Sequence, residues 1–567
     1  MFLEIIKKIS IFRSQKISSA ALTVAVFGFL SRVIGLWRDR ILAGQFGASQ
    51  ELDIYYAAFK IPDLVYNLLI VGAMSVAFLP IFYEYLTKDK NEAWKLASQM
   101  LNFLLIALAV LSLVSFAVAP QLISLVAPGF DSSARAMTVG LSRIMFISTF
   151  FLGISSLVTT LLQAFSRFLI TSLAPVFYNL GIIFGAIYLV PRYGLWGLAY
   201  GVVLGAALHL LIQLPAFFHL DFKWRAVLNL RHDGMKKVIK LWAPRTLGLL
   251  AFQIGGIITT AIASGLASGS IAIFNLADNL RSVPIGIVGI AFSTAAFPAM
   301  SLAYARGDKE LFLKRLSLSI RQTLFLIVPL TMLFYVLRAQ IVRIVLGTGH
   351  FNWQDTRLTA AALGLFAFSI FASTLIPLFT RTFYVFHNTR TPVTRNIISM
   401  FINVILNFVF LYALIYVPFL ANLLTNFLKV NNVLGVYVLA LPLAATVTSI
   451  FDLAWLWAGL KKYLGDFGIP EIKKSFIKIL IASVLSAGFA YLGLYIFASI
   501  FDTRTTIGLI MQAGGAAALG IIVYLVSAFL LKTNEMLMLN IIGTLFNWRG
   551  VQKPQPEPVG ETLDDQY

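Results

Sequence analysis

The chain reads as a succession of apolar runs separated by short polar connections. With a window of about 20 residues, the length a helix needs to cross a bilayer, the runs fall at 18–45, 52–86, 97–126, 135–163, 168–190, 194–218, 238–264, 269–303, 315–337, 357–384, 391–418, 432–459, 474–499 and 505–531. The pattern predicts an all-α polytopic membrane protein with fourteen spans. Ahead of them, MFLEIIKKISIFRSQK is basic and amphipathic and lacks a small-residue cleavage site, which predicts a retained interfacial helix over 1–17. The end, 533–567, predicts an amphipathic segment and then a disordered tail, because PQPEPVGETLDDQY is Pro-rich and acidic.

Composition narrows the class. At 59% apolar and 12% charged residues the chain cannot be an ordinary soluble domain, and its aromatic and glycine content suits membrane helices. A net charge of +20 would suggest nucleic acid in a soluble protein. Here it follows the connections instead. One alternate set is rich in Lys and Arg, with Lys223, Arg225, Arg231, Lys236, Lys237 and Lys240 in one connection, whereas those near 46–51 and 265–270 have none. The cation-rich set, which includes both termini, is expected on the cytoplasmic face of the membrane, with no nucleic-acid partner. With no cysteine, disulfides, thiolate nucleophiles and cysteine-ligated metals are excluded.

An internal repeat sets the architecture. VGAMSVAFLP (Val71 to Pro80) aligns with GIAFSTAAFP (Gly289 to Pro298) at an offset of 218, and LAPVFYN with TPVTRN at 217, which brings Pro175 onto Pro392 and Asn179 onto Asn396. Each period holds six spans. The expectation is two parallel six-helix repeats, an N-lobe over 18–220 and a C-lobe over 238–460, around a central cavity. An amphipathic linker over 221–237 joins them and two extra helices over 461–532 follow, an architecture suited to alternating access.

Charged groups inside spans mark a water-filled cavity or an ion pair. Span 1 carries Arg32, Arg38, Asp39 and Arg40, with Arg32 and Asp39 on one face. Asp53, Lys60, Asp63 and Asn67 form a stripe on span 2, and Asn275, Asp278, Asn279 and Ser282 one on span 8, with Arg281 a turn beyond Asp278. The bland alternatives are that Arg40 and Asp53 end helices at the interface and that Asp278 and Arg281 neutralise each other. Cations in a cleft suit an anionic substrate, and guanidinium forks suit the oxygens of pyrophosphate. Gly35, Pro62 and Gly72 are candidate hinges. Asn403, Asn407, Thr446 and Asp452 could coordinate a sodium ion, or simply hold helices together by hydrogen bonds.

The run SRVIGLWRDRILAGQFGASQELDIYYAAFKIPDLVYNLL, followed by GAMSVAFLPIFYEY, resembles the lipid II flippase family called MurJ or MviN, within the multidrug/oligosaccharidyl-lipid/polysaccharide exporter superfamily. The similarity extends over APGF (Ala127 to Phe130), NLADNLRSVPIGIVGIAFSTAAFP and NTRTPV (Asn388 to Val393). It implies a transporter, not an enzyme. Its cargo would be undecaprenyl-pyrophosphate-linked peptidoglycan precursor, lipid II, carried from the cytoplasmic to the outer leaflet in the service of cell-wall synthesis. It implies further that spans 13 and 14 form a groove for the lipid tail, that a membrane potential or a sodium or proton gradient drives the cycle, and that cell-wall synthesis machinery is a partner. By position, the family's cavity arginines match Arg32 and Arg38, and its acidic residue at the start of span 2 matches Asp53. Three family motif elements differ: paired arginines become Tyr66 and Asn67, an acidic residue becomes Val71, and the arginine of span 8 becomes Asn279. Lys60 and Arg281 are the candidate replacements.

Other readings are an exporter of a different polyprenyl-linked glycan or of a drug, and a non-transporting cell-wall scaffold. A membrane-embedded prenyltransferase or lipid phosphatase would need clustered carboxylates for Mg²⁺ or a histidine acid/base pair. The five histidines are scattered instead, and no nucleotide-binding loop is present.

Overall fold

This computed structural model describes residues 17–71, 77–220 and 222–536. The interfacial helix expected before Ile17, the candidate hinge Gly72 and the tail beyond Met536 lie outside the described residues.

The regular structure of the described residues is helical. The first lobe comprises α1 (Ile17–Phe46), α2 (Gln50–Tyr66), α3 (Leu79–Leu86), α4 (Lys90–Ala117), α5 (Ala119–Val126), α6 (Ser132–Ala164), α7 (Phe168–Phe184) and α8 (Trp196–Leu211). The second comprises α9 (Asp233–Ser264), α10 (Ser270–Pro284), α11 (Ala291–Ala305), α12 (Lys309–Val336), α13 (Arg338–Leu346), α14 (Trp353–Val385), α15 (Arg390–Tyr416), α16 (Pro418–Leu428) and α17 (Ala440–Leu464). Two further helices, α18 (Ile469–Ile500) and α19 (Thr506–Leu530), pack on each other and against α12. Eleven described helices are long and apolar enough to cross a membrane, and twelve if α9, bent by 45° between Ala243 and Gly248, is one span. Neither α1 nor the α2–α3 pair, the first two of the fourteen expected spans, is among them.

The repeat extends to the level of single residues. In one lobe α1 packs on α7, α2 on α6, α4 on α6, and α8 on both α6 and α7. In the other, α9 packs on α15, α10 on α14, α12 on α14, and α17 on both α14 and α15. Helix starts recur too: Asp89 and Asp308, 219 positions apart (308 minus 89), each cap the helix that follows with a side-chain oxygen. Asp131 and Asn352 do the same for α6 and α14. A π-helical segment interrupts the second span of each lobe, at Asn67–Val71 and at Ile285–Ile290, 218 positions apart at the start (285 minus 67). The period then breaks at α16, an apolar helix inserted between α15 and α17, so that α8 and α17 start 244 positions apart (440 minus 196).

Candidate functional site

The charged stripes on spans 1, 2 and 8 come together where the lobes meet. Arg38 folds back along α1 onto its neighbour, its Nη2 lying 2.7 Å and its Nε 3.0 Å from Asp39 Oδ1, while its Nη1 donates to Asn179 Oδ1 on α7 at 3.1 Å. Asp39 is buried, and its second oxygen accepts from Asn279 Nδ2 on α10 at 3.0 Å. One carboxylate therefore joins a cation of the first lobe to an amide of the second. Helical spacing puts Asp39 on one face with Arg32 and does not pair it with Arg38. Adjacent positions on a helix do not ordinarily face each other, and only the reach of the arginine side chain makes this pair.

Arg32 bridges the same gap a little further along α1. Its Nη1 donates to the Ser282 carbonyl on α10 at 3.1 Å. The guanidinium lies against Gly286, where a Cβ would sit 1.9 Å from Nη1, so only glycine allows the approach. Gly35 lies within an unbroken α1. Pro62 lies inside α2, one turn before the first π-helical segment.

On span 2, Lys60 is half-buried within the electrostatic reach of Asp63 and Asp278, and Asn67 donates to its own helix at the Asp63 carbonyl, 2.8 Å away. Arg281 does not take over the cationic role expected at position 279. It pairs with Asp278 at 2.7 Å, donates to Ser369 Oγ at 3.0 Å and stacks 4.4 Å from the Phe366 ring centroid, all within its own lobe. The reason is helical geometry: position 281 is rotated about 200° from 279 and faces α14.

Asp53 departs most from expectation. It is 3% exposed and accepts from the backbone N–H groups of Gly269 and Ala272, both at 2.7 Å. These amides begin α10, so a carboxylate of the first lobe caps a helix of the second. Gly269, the residue at the cap position, has φ +86° and no side chain to do it, and a Cβ there would meet the Ala48 carbonyl at 2.0 Å. Both oxygens of Asp53 are thus engaged at the cation-poor end of the bundle rather than facing a headgroup. The same end is tied by His350 N–H donating to the Gly44 carbonyl at 2.8 Å, Ala48 N–H to Asp355 at 3.3 Å, and Arg40 to the last carbonyls of α13 at Ile344 and Val345. At the cation-rich end, α9 meets the first lobe through Lys237 and Glu84 at 2.8 Å and through Trp242 Nε1 and the Leu68 carbonyl at 3.2 Å.

The residues proposed to hold sodium do not converge. Asn403 and Asn407 are bonded to each other at 3.1 Å, with Thr259 and Thr448 as further partners. Thr446 turns away to donate to the Leu365 carbonyl, and Asp452 is paired with Arg395 at 3.4 Å and bonded to Ser399. The one carboxylate of the set is therefore already neutralised, two turns along the helix. Among the described residues no group of three or more His, Asp or Glu could hold a metal ion. Asp452→Ala is expected to leave Arg395 buried and unpaired and to lower stability by about 3–5 kcal/mol. Thermal unfolding in detergent would measure it.

Two pseudo-equivalent six-helix lobes meeting at a charged interface, with separate sets of contacts at the two ends, are the build of a membrane transporter. The chain matches the family described as "Lipid II flippase MurJ" over residues 42–511 and belongs to that family. It is 33% identical over 400 residues to a lipid II flippase MurJ of Burkholderia cenocepacia, covering 69% of this chain and 78% of the relative. It is 30% identical to a probable lipid II flippase MurJ of Buchnera aphidicola, over 69% and 77% of the two chains. Among solved structures, the fold is similar to "Lipid II flippase MurJ, inward closed conformation", with a TM-score of 0.72, 23% identity, and coverage of 89% of this chain and 98% of the other. It is also similar to an inward-facing multidrug resistance MATE family transporter of the MOP superfamily, with a TM-score of 0.59, 14% identity, and coverage of 81% and 99%. This is a multi-pass membrane transporter, not an enzyme.

Proposed function

We propose that this chain translocates lipid II, or a closely related undecaprenyl-pyrophosphate glycolipid, from the cytoplasmic to the outer leaflet of a bacterial plasma membrane by alternating access. The cation-rich end, with both termini, faces the cytoplasm in this reading. The supporting observation is the pairing of Arg38 with Asp39 and, through it, with Asn279. A carboxylate held by a guanidinium fork occupies the kind of position a phosphate oxygen takes. Pyrophosphate arriving at Arg38 competes with Asp39 and loosens the link to α10, while Arg32, already turned toward the second lobe, supplies the next cation. The isoprenoid tail stays in lipid beside α18 and α19.

An inside-negative potential favours outward movement of an anionic headgroup by about 2.3 kcal/mol per charge per 100 mV, and this supports a cycle driven by membrane potential or by a cation that accompanies the empty carrier's return. The test is complementation of a bacterium depleted of its own flippase, with wild type and Arg32→Ala compared at matched membrane levels. Growth is expected with wild type alone. Failure of well-expressed wild type would move a different lipid-linked cargo or a scaffold role ahead, and full rescue by Arg32→Ala would remove Arg32 from the site.

A further inference from the structure

Residues 222–232 join the two lobes as a non-helical strap along α4. Asn102 pins it, donating to the carbonyls of Arg225 and Val227 at 2.9 Å each and accepting from Trp224 Nε1 at 2.9 Å, and Arg225 N–H donates to Ser98 Oγ at 3.2 Å. Despite this fixed course, Trp224 is 58% exposed, and Val227, Leu228 and Leu230 are exposed as well, interspersed with the exposed cations Lys223, Arg225 and Arg231. Clustered large apolar side chains mixed with cations are costly in water and favourable at a lipid headgroup boundary.

The strap runs directly into a cavity of about 590 Å³ at the cation-rich end. Lys88 and Glu84 of the first lobe form one wall, and Asp233, Lys236, Lys237 and Lys240 of α9 the other. Glu84 is shared between Lys237 at 2.8 Å and Lys88 at 3.2 Å, and Asp233 holds Lys236 at 3.4 Å. Lys240 has no carboxylate partner among the described residues. Four ammonium groups thus face two carboxylates around a space open to the surface.

We propose that strap and cavity together bind an anionic glycerophospholipid of the adjoining leaflet. The phosphate sits among Lys88, Lys236, Lys237 and Lys240, and the acyl chains lie along Trp224, Leu228 and Leu230. The charge balance calls for an anion, and the exposed apolar side chains beside it call for one that carries hydrocarbon. Because the cavity walls come from different lobes, a bound phosphate bridges them and favours closure at this end. The site is distinct from Arg32 and Arg38 and does not depend on what the transporter carries.

The full-length protein, stripped of lipid in neutral detergent, would be titrated with phosphatidylglycerol and, separately, with phosphatidylcholine, with bound lipids counted by native mass spectrometry. One tightly held phosphatidylglycerol is expected, with phosphatidylcholine much weaker. Each cation near a lipid surface contributes roughly fivefold to binding, so Lys236→Ala/Lys240→Ala is expected to weaken that site about 25-fold. Both side chains are exposed and the substitution leaves the Glu84 pair intact. Lys309→Ala/Lys314→Ala, an equal loss of charge at another exposed place, is expected to leave the site unchanged. Equal weakening by the two double variants would reduce the effect to diffuse surface charge and overturn the proposal. So would stoichiometric displacement of the phospholipid by undecaprenyl pyrophosphate, which would make the cavity a station for polyprenyl pyrophosphates instead.

Discussion

Arg38→Ala is expected to abolish lipid II translocation and also to destabilise the protein, and a second substitution separates the two effects. Hydrogen bonds to charged groups contribute about 1.5–3 kcal/mol each, so loss of the two donors that would grip pyrophosphate costs about 3 kcal/mol, or roughly 100-fold in transport. Independently, the substitution strands Asp39, whose side chain is only 3% exposed. Breaking a buried pair costs about 3–5 kcal/mol, and the lower end applies because Arg38 retains 23% exposure. Adding Asp39→Asn removes the stranded charge and keeps an oxygen for the Asn279 amide. The double variant Arg38→Ala/Asp39→Asn is therefore expected to regain most of the lost thermal stability while remaining inactive in proteoliposomes containing lipid II. Recovery of transport together with stability would mean that Arg38 serves only to neutralise Asp39. Normal transport by the single variant would remove Arg38 from the headgroup site altogether.

How far the sequence foretold this arrangement depended on where each partner lay. The two-lobed plan was legible because it repeats: Pro175 and Pro392, or Asp89 and Asp308, are local signals one period apart, and each can be read without its tertiary neighbours. The apolar pattern at 391–418 gave no sign of α16 as a separate element, because Pro418 and the residues after it continue the hydropathy of α15. Helical spacing groups Asp53, Lys60, Asp63 and Asn67 on one stripe, but a stripe does not reveal which member reaches the cavity. Asp53 lies one turn into its helix, and its partners are backbone amides 216 and 219 positions away, which carry no side-chain signature. Lys60 and Arg281 looked equally able to replace the missing cation. Only the Phe366 ring and the Ser369 hydroxyl, both on another helix, show that Arg281 turns into its own lobe. The sodium set failed for a related reason: spacing along α15 and α17 could not disclose that Arg395 lies within reach of Asp452.

The position of Asp53 makes the second large effect a conformational one. Its two hydrogen bonds to the first amides of α10 are among the contacts that hold the lobes together at the cation-poor end, and each carries the strength of a charged acceptor on a helix N-terminus. Asp53→Ala removes both and leaves the amides to water, at a cost of about 3 kcal/mol borne only by the state in which this end is closed. The balance between closed and open is therefore expected to shift toward open by roughly 100-fold. The chain has no native cysteine, so a single Ser282→Cys, on the exposed side of α10 beside the Arg32 contact, reports the shift. A membrane-impermeant maleimide added from the cation-poor side should label it slowly in the parent and at least tenfold faster with Asp53→Ala. Asp53→Asn, which keeps one uncharged acceptor, should fall between them. Closed and open states that differ in this way also predict lost transport for Asp53→Ala, since a carrier that rests open at one end seldom presents its site at the other. If labelling stayed at the parental rate while transport disappeared, Asp53 would belong to the headgroup site after all, and the cap on α10 would be incidental to the cycle.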